Sequence, residues 1–522
     1  MLNMALMKKF TIIITVFLIL FYVQTSAQEG KGVLRIEVPA NLNIQRYHLV
    51  PLEKNGFLIF YESNEINKNG KRKWYFGLFD TKLKQKWLTF LPLTNKLIFA
   101  AKKRHGNTLL LLFKNSSKVK SDYGFYELVK YDISTAKFSQ ITGTMPLNTV
   151  IKGFDFHGET ASIGIDLDDD KADVLFLNIN SGNVIPFKFD REKNVHLEMV
   201  AYDAVRDEFL VFAKFFKGKY FEGDKLFAFN TKGKVLKKID IESDYKLNVL
   251  RNPVLVNSNK NMRLLLGTYD VVTGSSYKLK DYKNGEEART GGLFSLKLDE
   301  KGEMSLQFYD FLSFKNIPGT YAYRSYNMGK SSSGKNVPLA SLLNVSSFQV
   351  KEVNNQYVVS LEVYKPYYRT ETRMDYDFYG RPYPNTYEIF DGYTFYDVIV
   401  AGFTKDGKYI WDNDFPLNEI HTYELNKHVS VEDEEGKLVL SYVSGDKIKM
   451  QLIEGPSDIG KEESVKIAGK FIRDRVVDSD NQHIVHWYDK YFLVYGYQKI
   501  TNRVMKDQNY RTVFYVNKVA FQ

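Results

Sequence analysis

Short apolar runs recur along almost the whole chain, and clusters of Gly, Asn, Asp and Lys separate them. Runs of this length between turn residues are typical of β-strands, whereas the periodicity of amphipathic helices is nearly absent. Several runs are apolar at consecutive positions, so both faces of those strands must be buried. The pattern predicts an all-β protein. Examples of the runs are Gly56–Tyr61, Leu109–Phe113, Val174–Leu177, Phe209–Phe212, Leu264–Leu266, Tyr357–Leu361, Lys437–Tyr442 and Tyr491–Tyr497.

A second pattern marks turns between strands. An aromatic or apolar residue is followed by Asp, Asn or Thr and then by a short polar turn. The first four anchors, Asp80, Asp132, Asn178 and Asn230, are 52, 46 and 52 residues apart. This interval is close to the length of one four-stranded blade of a β-propeller, about 40 to 50 residues. The pattern occurs at Phe79–Lys82, Tyr131–Ser134, Leu177–Gly182, Phe229–Gly233, Leu298–Gly302 and Phe403–Gly407.

Together the runs and turns predict a β-propeller of about eight four-stranded blades, with seven as the alternative. Blades stack face to face, which covers both sides of their middle strands and explains the consecutive apolar residues. The last blade has only two strong strands, so Val33–Val38 is predicted to supply its outermost strand and to close the ring without a free edge. The blades are expected near residues 41–93, 94–148, 149–190, 195–243, 245–314, 340–417, 425–470 and 475–522.

Two segments interrupt the blade interval. Residues 28–522 are therefore predicted to form one propeller domain with long insertions near 313–339 and 364–396. The first insertion is rich in Gly and Ser and is predicted to be an exposed loop. The second is rich in tyrosine and is unlike the rest of the chain.

The turn pattern resembles that of secreted bacterial β-propeller repeat proteins, including the final-strand turn of quinoprotein-like and Asp-box blades. The segment Thr404–Trp411 is the most similar to an Asp-box. Asp406 and Gly407 are adjacent here, whereas an Asp-box has one residue between them. The resemblance is generic, so it implies the propeller fold and no active site.

The amino-terminal segment predicts export. Lys8 and Lys9 precede an apolar run over Phe10–Val23, and small residues follow it up to Ala27. This order is that of a signal peptide, with cleavage expected after Ala27. The run of about 14 residues is short of the roughly 20 that span a bilayer, so a retained anchor is the weaker alternative. The mature protein is expected in the periplasm or at the cell surface, without a transmembrane span.

The amino-acid composition excludes several kinds of site and partner. The chain contains no cysteine, which excludes disulfides, thiolate metal sites and a cysteine nucleophile. Its 72 basic and 62 acidic residues give a formal charge of +10, but the lysines are scattered among the acids. Nucleic acid is therefore not an expected partner. No catalytic residue is predicted, and no cofactor is expected apart from a weak case for calcium.

The weak calcium candidate is the acidic turn with Asp166, Asp168 and Asp170. Carboxylates at alternating positions are how calcium-binding loops begin. However, Lys171 occupies the sixth position, where such loops have glycine, and Leu177 occupies the twelfth, where they have glutamate. The turn is therefore not an EF-hand, and a solvated acidic turn is the alternative.

The insertion at 364–396 is the candidate ligand-binding site. Its nine tyrosines are mixed with arginines, aspartates and prolines. Apolar ring faces beside hydroxyl and guanidinium donors suit sugar rings or an extended partner peptide. The alternative is that the tyrosines cover part of the propeller or pack the segment on itself. The predicted contact residues are Tyr367, Tyr368, Arg369, Tyr376, Tyr379, Tyr383 and Tyr393.

These observations predict a non-catalytic binding or scaffolding protein of the bacterial cell envelope, which contacts a protein or glycan through the tyrosine-rich insertion. One alternative is a polysaccharide-active hydrolase or lyase with carboxylates in the central funnel. Another is an outer-membrane β-barrel, which is also exported and strand-rich. Barrel strands alternate apolar and polar residues, whereas many strands here are apolar on both faces.

Overall fold

The strands form eight separate antiparallel sheets of four strands each. The computed structural model describes residues 34–40, 46–116, 123–242, 248–272, 276–283, 289–316, 342–471, 473–504 and 510–520. The predicted signal peptide and most of the predicted loop at 313–339 lie outside these residues. The all-β class and the count of eight blades are confirmed.

Each of the first seven blades consists of four consecutive strands. The first strands of neighbouring blades contact one another, so they line the central axis, and the fourth strands are outermost. Strand β1 (Leu34–Pro39) precedes the first blade. Blade one contains β2 (Tyr47–Pro51), β3 (Phe57–Ile66), β4 (Arg72–Phe79) and β5 (Gln85–Leu93); blade two β6 (Leu97–His105), β7 (Thr108–Asn115), β8 (Gly124–Asp132) and β9 (Lys137–Met145); blade three β10 (Val150–His157), β11 (Thr160–Asp166), β12 (Ala172–Asn178) and β13 (Val184–Lys188); blade four β14 (Asn194–Asp203), β15 (Glu208–Lys217), β16 (Tyr220–Phe229) and β17 (Val235–Ile241).

The later blades follow the same plan. Blade five contains β18 (Asn248–Ser258), β19 (Met262–Val271), β20 (Thr290–Asp299) and β21 (Met304–Asp310); blade six β22 (Asn344–Val353), β23 (Gln356–Tyr376), β24 (Pro382–Phe403) and β25 (Tyr409–Thr422); blade seven β26 (Ser430–Glu434), β27 (Lys437–Ser444), β28 (Lys447–Glu454) and β29 (Ser457–Lys466). Blade eight begins with β30 (Arg475–Tyr488), β31 (Tyr491–Thr501) and β32 (Tyr510–Ala520).

The helices of the described residues are short. They are one α-helix, α1 (Leu279–Lys283), between β19 and β20, and single 3₁₀ turns at Glu53–Asn55 and Phe311–Ser313. Within the described ranges, no helix has the length and apolar content that crossing a membrane requires.

The ring is closed by strand β1, which is the outermost strand of blade eight. It pairs antiparallel with β32, from Leu34 opposite Lys518 to Pro39 opposite Val513. This confirms the outermost strand predicted near Val33–Val38. Closure leaves no free sheet edge at the junction of the first and last blades.

Eight hydrophobic clusters hold the ring together, one between each pair of neighbouring blades. Strand β7 shows how one sequence run serves two clusters. Leu109, Leu111 and Phe113 pack toward blade one, while Leu110 and Leu112 pack toward blade three. Successive side chains of a strand point to opposite faces, so a strand covered on both sides must be apolar at every position.

All six predicted turns join the third and fourth strands of a blade. Blade one shows why Asp or Asn is common at the start of these turns. The Asp80 carboxylate accepts hydrogen bonds from the amides of Lys82 and Lys84, each at 2.8 Å. Asn230 does the same for Lys232 and Lys234 in blade four. Such side chains take the place of a backbone acceptor in a tight turn.

Successive strands of a blade run in opposite directions across the ring. The turns between the second and third strands therefore lie on the same face of the ring as the connections between blades. We call it the upper face. It carries the acidic turn at 167–171, the connection that contains α1, and the turn between β23 and β24.

Candidate functional site

Strands β23 and β24 are far longer than the other strands and project from the upper face. Strand β22 pairs with β23 only as far as Tyr364, and β25 pairs with β24 only from Tyr393 onward. Beyond these points, 365–376 and 382–392 continue as a two-stranded ribbon. We call this ribbon the extension. It contains most of the predicted tyrosine-rich insertion.

The tip of the extension is a turn of the kind found in the blades. Asp377 accepts hydrogen bonds from the amides of Tyr379 and Arg381, both at 2.8 Å, and Gly380 adopts φ +75°. A positive φ of this kind favours glycine. The sequence Tyr376–Gly380 therefore specifies the tip locally.

The register of the extension gives it two faces of different chemistry, because residues paired across a ribbon share a face. The aromatic face has a single charged residue, Glu388. The opposite face alternates charges along β23, and we call it the charged face. The aromatic face consists of Tyr368, Thr370, Thr372, Met374, Tyr376, Pro382, Pro384, Thr386, Glu388 and Phe390. The charged face consists of Arg369, Glu371, Arg373, Asp375, Tyr383, Asn385, Tyr387 and Ile389.

Large apolar side chains on the aromatic face are open to solvent. Met374 is 57% exposed and Tyr376 is 70% exposed. Tyr368 and Phe390 are each 43% exposed and pack against each other, with 5.8 Å between ring centroids. Exposed large apolar groups gathered on one face are typical of interaction surfaces.

Polar groups on the charged face bond to one another instead. Asp375 accepts hydrogen bonds from Asn385 and from the hydroxyl of Tyr387. The bonds from Tyr387 and Asn385 hold the pKa of Asp375 below its ordinary value. Arg373 pairs with Glu371 at 2.7 Å. This face therefore satisfies much of its own hydrogen-bonding capacity.

The structure separates the seven predicted contact residues. Tyr368 and Tyr376 lie on the aromatic face, and Arg369 and Tyr383 lie on the charged face. Tyr379 is at the tip and is 80% exposed. The other two lie where the extension leaves the blade. The ring centroid of Tyr367 is 5.3 Å from that of His421, and the ring centroid of Tyr393 is 5.4 Å from that of Tyr364.

A second polar cluster lies at the central channel, and the sequence did not reveal it. In β10 and β14, the register with the neighbouring strand shifts at Lys152 and Glu198, and in β18 it shifts next to Arg251. Shifts of this kind are β-bulges, which change the direction in which the local side chains point. We call Lys152, His196, Glu198, Arg251 and Tyr282 the channel cluster.

Tyr282 of α1 covers the channel cluster. The centre of its ring lies 4.4 Å from the guanidinium carbon of Arg251, 4.8 Å from the ring of His196 and 5.7 Å from Lys152 Nζ. Burial raises the pKa of Tyr282 well above its ordinary value, so its hydroxyl stays protonated. The ring thus provides a neutral, partly apolar cover over charged groups.

Glu198 is the one carboxylate of the channel cluster, and cations surround it. Glu198 Oε1 lies 3.3 Å from Arg251 Nε. Burial opposes ionisation of Glu198, but Arg251, Lys214 and Lys152 outweigh burial and hold its pKa below the ordinary value. Among the described residues, neither Glu198 Oε1 nor Arg251 Nε has a partner in hydrogen-bond geometry. These buried atoms therefore keep hydrogen-bonding capacity.

The three aspartates of the acidic turn contact protein groups, and the ring of His196 lies between two of them, with Nε2 3.4 Å from Asp170. Asp166 is buried and accepts hydrogen bonds from the amide of Leu197 and from His196, both at 2.9 Å. Asp168 accepts one from Asn148 at 3.0 Å. Asp170 forms an ion pair with Lys283, and within the described part of the chain no group of three potential metal ligands occurs. Calcium binding at this turn stays a prediction.

No protein-family model matches the sequence, and no curated protein matches it. Solved structures do match. The WD40 domain of SCAP from fission yeast is 9% identical, with a TM-score of 0.42 over 94% of this chain and 98% of that chain. The β-propeller domain of the Trilobed protease from Pyrococcus furiosus is 11% identical, with a TM-score of 0.34 over 80% of this chain and 97% of that chain.

A prolyl endopeptidase structure is 10% identical, with a TM-score of 0.37 over 88% of this chain. The matched part spans 54% of that chain. At such identities the similarity concerns the fold alone. The class of this protein is that of an eight-bladed β-propeller, which rests on its own eight sheets.

Proposed function

We propose that this protein is a non-catalytic binding protein of the bacterial cell envelope, and that the aromatic face of the extension is its contact surface. The observation that carries the proposal is the exposure of Met374 and Tyr376 on a face with one charged residue. An isolated two-stranded ribbon is marginally stable in water. Covering its apolar face with a partner lowers its free energy.

The signal-peptide pattern before Ala27 supports the envelope as the location. Tyrosine rings, threonine hydroxyls and a methionine suit two kinds of partner. They pack on the apolar surface of a protein, and tyrosine rings also stack on sugar rings. The partner is therefore proposed to be an envelope protein or a glycan.

A matched pair of variants tests this proposal. Met374→Ser with Tyr376→Ser removes one aliphatic and one aromatic group from the aromatic face. Ile389→Ser with Tyr383→Ser removes the same kinds of group from the charged face. Tagged full-length protein is used to capture partners from solubilised envelope, and binding is then titrated.

The aromatic-face variant is expected to bind at least about tenfold more weakly, because buried aromatic anchors dominate contact energies. The charged-face variant should bind as the parent does. A stoichiometric polypeptide lost only in the first variant identifies a protein partner, whereas binding that survives protease treatment of the envelope identifies a glycan. Equal binding by all three proteins would contradict the proposal.

The channel cluster favours a second candidate function, a polysaccharide-active hydrolase or lyase. Glu198, Arg251, His196 and Tyr282 bring a carboxylate, a cation, an imidazole and a phenol into contact in one cluster at the channel. The test is release of reducing or unsaturated ends from envelope polysaccharides. Glu198→Gln should abolish such release, and an inactive parent protein would remove this candidate.

A further inference from the structure

The two edges of the extension differ in their capacity to pair with another strand. On β24, Pro382 and Pro384 stand beside the tip, and proline has no amide hydrogen to donate. Proline at an edge discourages addition of a further strand. On β23, the run from Tyr367 to Tyr376 contains no proline, and among the described residues no strand pairs with its outer edge. The β23 edge is therefore the open one.

Backbone alternation determines which peptide groups face outward from this edge. The amide of Asp377 donates to the carbonyl of Arg381 at 3.0 Å, so these residues form a hydrogen-bonded pair at the tip. Bonded positions alternate along an antiparallel ribbon. The odd-numbered residues of β23 thus bond to β24, and the even-numbered residues from Tyr368 to Tyr376 face outward.

The charges along the β23 edge are self-complementary. From base to tip they are Arg369, Glu371, Arg373 and Asp375, so the sign alternates and the two ends differ. When two copies lie antiparallel with Thr372 opposite Thr372, Arg369 stands opposite Asp375 and Glu371 stands opposite Arg373. Symmetry repeats both pairs. We infer that the β23 edge of the extension pairs with the same edge of a second copy of this chain.

Backbone and charges favour the same register. With Thr372 at the two-fold axis, the outward peptide groups of the even-numbered residues meet each other. The charged residues then occupy the non-hydrogen-bonded positions, where opposed side chains are closest. A shift of the axis to Met374 would instead place Glu371 opposite Asp377. The register centred on Thr372 places all four charged residues, Arg369, Glu371, Arg373 and Asp375, opposite a residue of the other sign within this set.

Pairing in this register joins the two extensions into a four-stranded sheet. Opposed residues share a face, so the aromatic faces of both copies lie on the same side. The inference does not rest on the proposed function, because the edge and the aromatic face are altered by different substitutions. The contact is small, and small interfaces associate weakly. Self-association is expected at micromolar or higher concentration.

Charge reversal in two complementary variants tests the inference. Arg369→Glu with Arg373→Glu makes the edge acidic throughout, and Glu371→Arg with Asp375→Arg makes it basic throughout. The substituted side chains are on the surface of the extension, so the propeller core is unchanged. Sedimentation velocity on full-length protein from about 1 μM to about 1 mM covers the affinity range of small interfaces.

The parent is expected to form dimers, and each variant alone should associate at least about tenfold more weakly, since four attractive pairs become repulsive. An equimolar mixture of the acidic and basic variants should recover dimers at the parent's affinity or better. Recovery on mixing excludes misfolding as the cause of the loss.

Three outcomes would overturn the inference. The first is a parent that stays monomeric throughout the range. The second is a variant that dimerises as strongly as the parent, which would place the interface elsewhere. The third is a mixture that stays monomeric. The Met374→Ser, Tyr376→Ser protein separates the two proposals. It should lose binding to the envelope partner but still dimerise, because both charge pairs are kept.

Discussion

Lys214 is a fully buried cation inside blade four. Its Nζ donates to Asp224 at 2.8 Å and to the carbonyl of Leu250 at 2.6 Å. Lys214 and Asp224 are opposite each other on β15 and β16, and both side chains are 0% exposed. Burial raises the pKa of Asp224 to about 6, although the lysine opposes this effect. The pair is therefore costly to separate.

Lys214→Met should lower the free energy of unfolding by about 3 to 5 kcal/mol, because it leaves Asp224 buried without its cation. The double variant Lys214→Met, Asp224→Leu should recover most of the loss, since two apolar residues of similar volume replace the pair. Urea unfolding at pH 7 measures both changes. A single variant within 1 kcal/mol of the parent, or a double variant less stable than the single one, would show that the ion pair does not control local stability.

Glu362 makes the stability of blade six depend on pH. Its buried carboxyl group accepts hydrogen bonds from the amides of Val429 and His428 at 2.8 and 2.9 Å. Burial raises its pKa from 4.5 to about 7. The folded protein thus holds this proton more tightly than the unfolded chain does. The contribution of Glu362 to stability is present below pH 4.5 and is lost as pH rises to about 7.

Glu362→Gln removes this proton equilibrium. The difference in unfolding free energy between parent and variant should change by roughly 3 kcal/mol between pH 4.5 and pH 7.5, in favour of the variant at the higher pH. Other carboxyl groups titrate in both proteins and cancel in the difference. Urea unfolding at several pH values measures it, and a difference that is constant with pH would contradict the assignment.

At the scale of the element, the extension is separable from the blade that carries it. The buried residues at its base, Tyr364 and Phe395, belong to the core shared with blade seven. Replacing residues 367–392 by Asn-Gly puts a two-residue turn between Pro366 and Tyr393, which are paired in the register. The unfolding free energy should change by less than about 1 kcal/mol, as for surface changes elsewhere.

The shortened protein should also lose partner binding and self-association together. Circular dichroism and thermal unfolding check that the propeller remains folded. A shortened protein that fails to fold would show that the extension is part of the domain core.

The sequence predicted the blades because their signals are local. Consecutive apolar residues act within one strand, and the Asp, Asn or Thr at six of the blade turns acts within one hairpin. The extension was recognised as a tyrosine-rich insertion but not as a ribbon, although Tyr376–Gly380 repeats the turn signal of the blades. The division of its residues into two faces depends on the pairing register, which composition does not reveal.

The channel cluster could not be predicted in the same way. Its residues come from three blades and meet only when the ring forms. One signal was present: Lys152, Glu198 and Arg251 are 46 and 53 residues apart, close to the blade interval. Equivalent positions of successive inner strands therefore carry them, and aligning the blades against one another would have brought out the set.

At the scale of the whole molecule, an ion network fastens the closing strand. Glu37 of β1 binds Arg35 at 2.8 Å and Arg511 at 3.0 Å, and Arg511 also binds Asp474 at 2.6 Å. The side chains of Arg35, Glu37 and Asp474 are almost fully buried. The network joins β1 to β32 and to the connection that precedes β30.

Glu37→Leu should lower the free energy of unfolding by about 3 to 5 kcal/mol, because two arginines lose a shared buried carboxylate. Hydrogen exchange should accelerate first in β1 and β32. The control is Glu352→Leu, whose carboxylate is 63% exposed and pairs with Lys405. An exposed ion pair contributes at most about 1 kcal/mol. Equal losses of unfolding free energy in the two variants would therefore contradict the idea that the Glu37 network holds β1 in the ring.

The closing pair also imposes an order on folding in time. Leu34 meets Lys518, which follows it by 484 residues. Synthesis at about 5 to 20 residues per second separates the two strands by roughly half a minute or longer, so β1 stays unpaired at least until β32 has been made. An unpaired strand is prone to join other strands, and charged side chains reduce that tendency. Arg35 and Glu37 therefore have two effects. Their charges keep the unpaired strand β1 from joining other strands, and their ion pairs later hold β1 against β32.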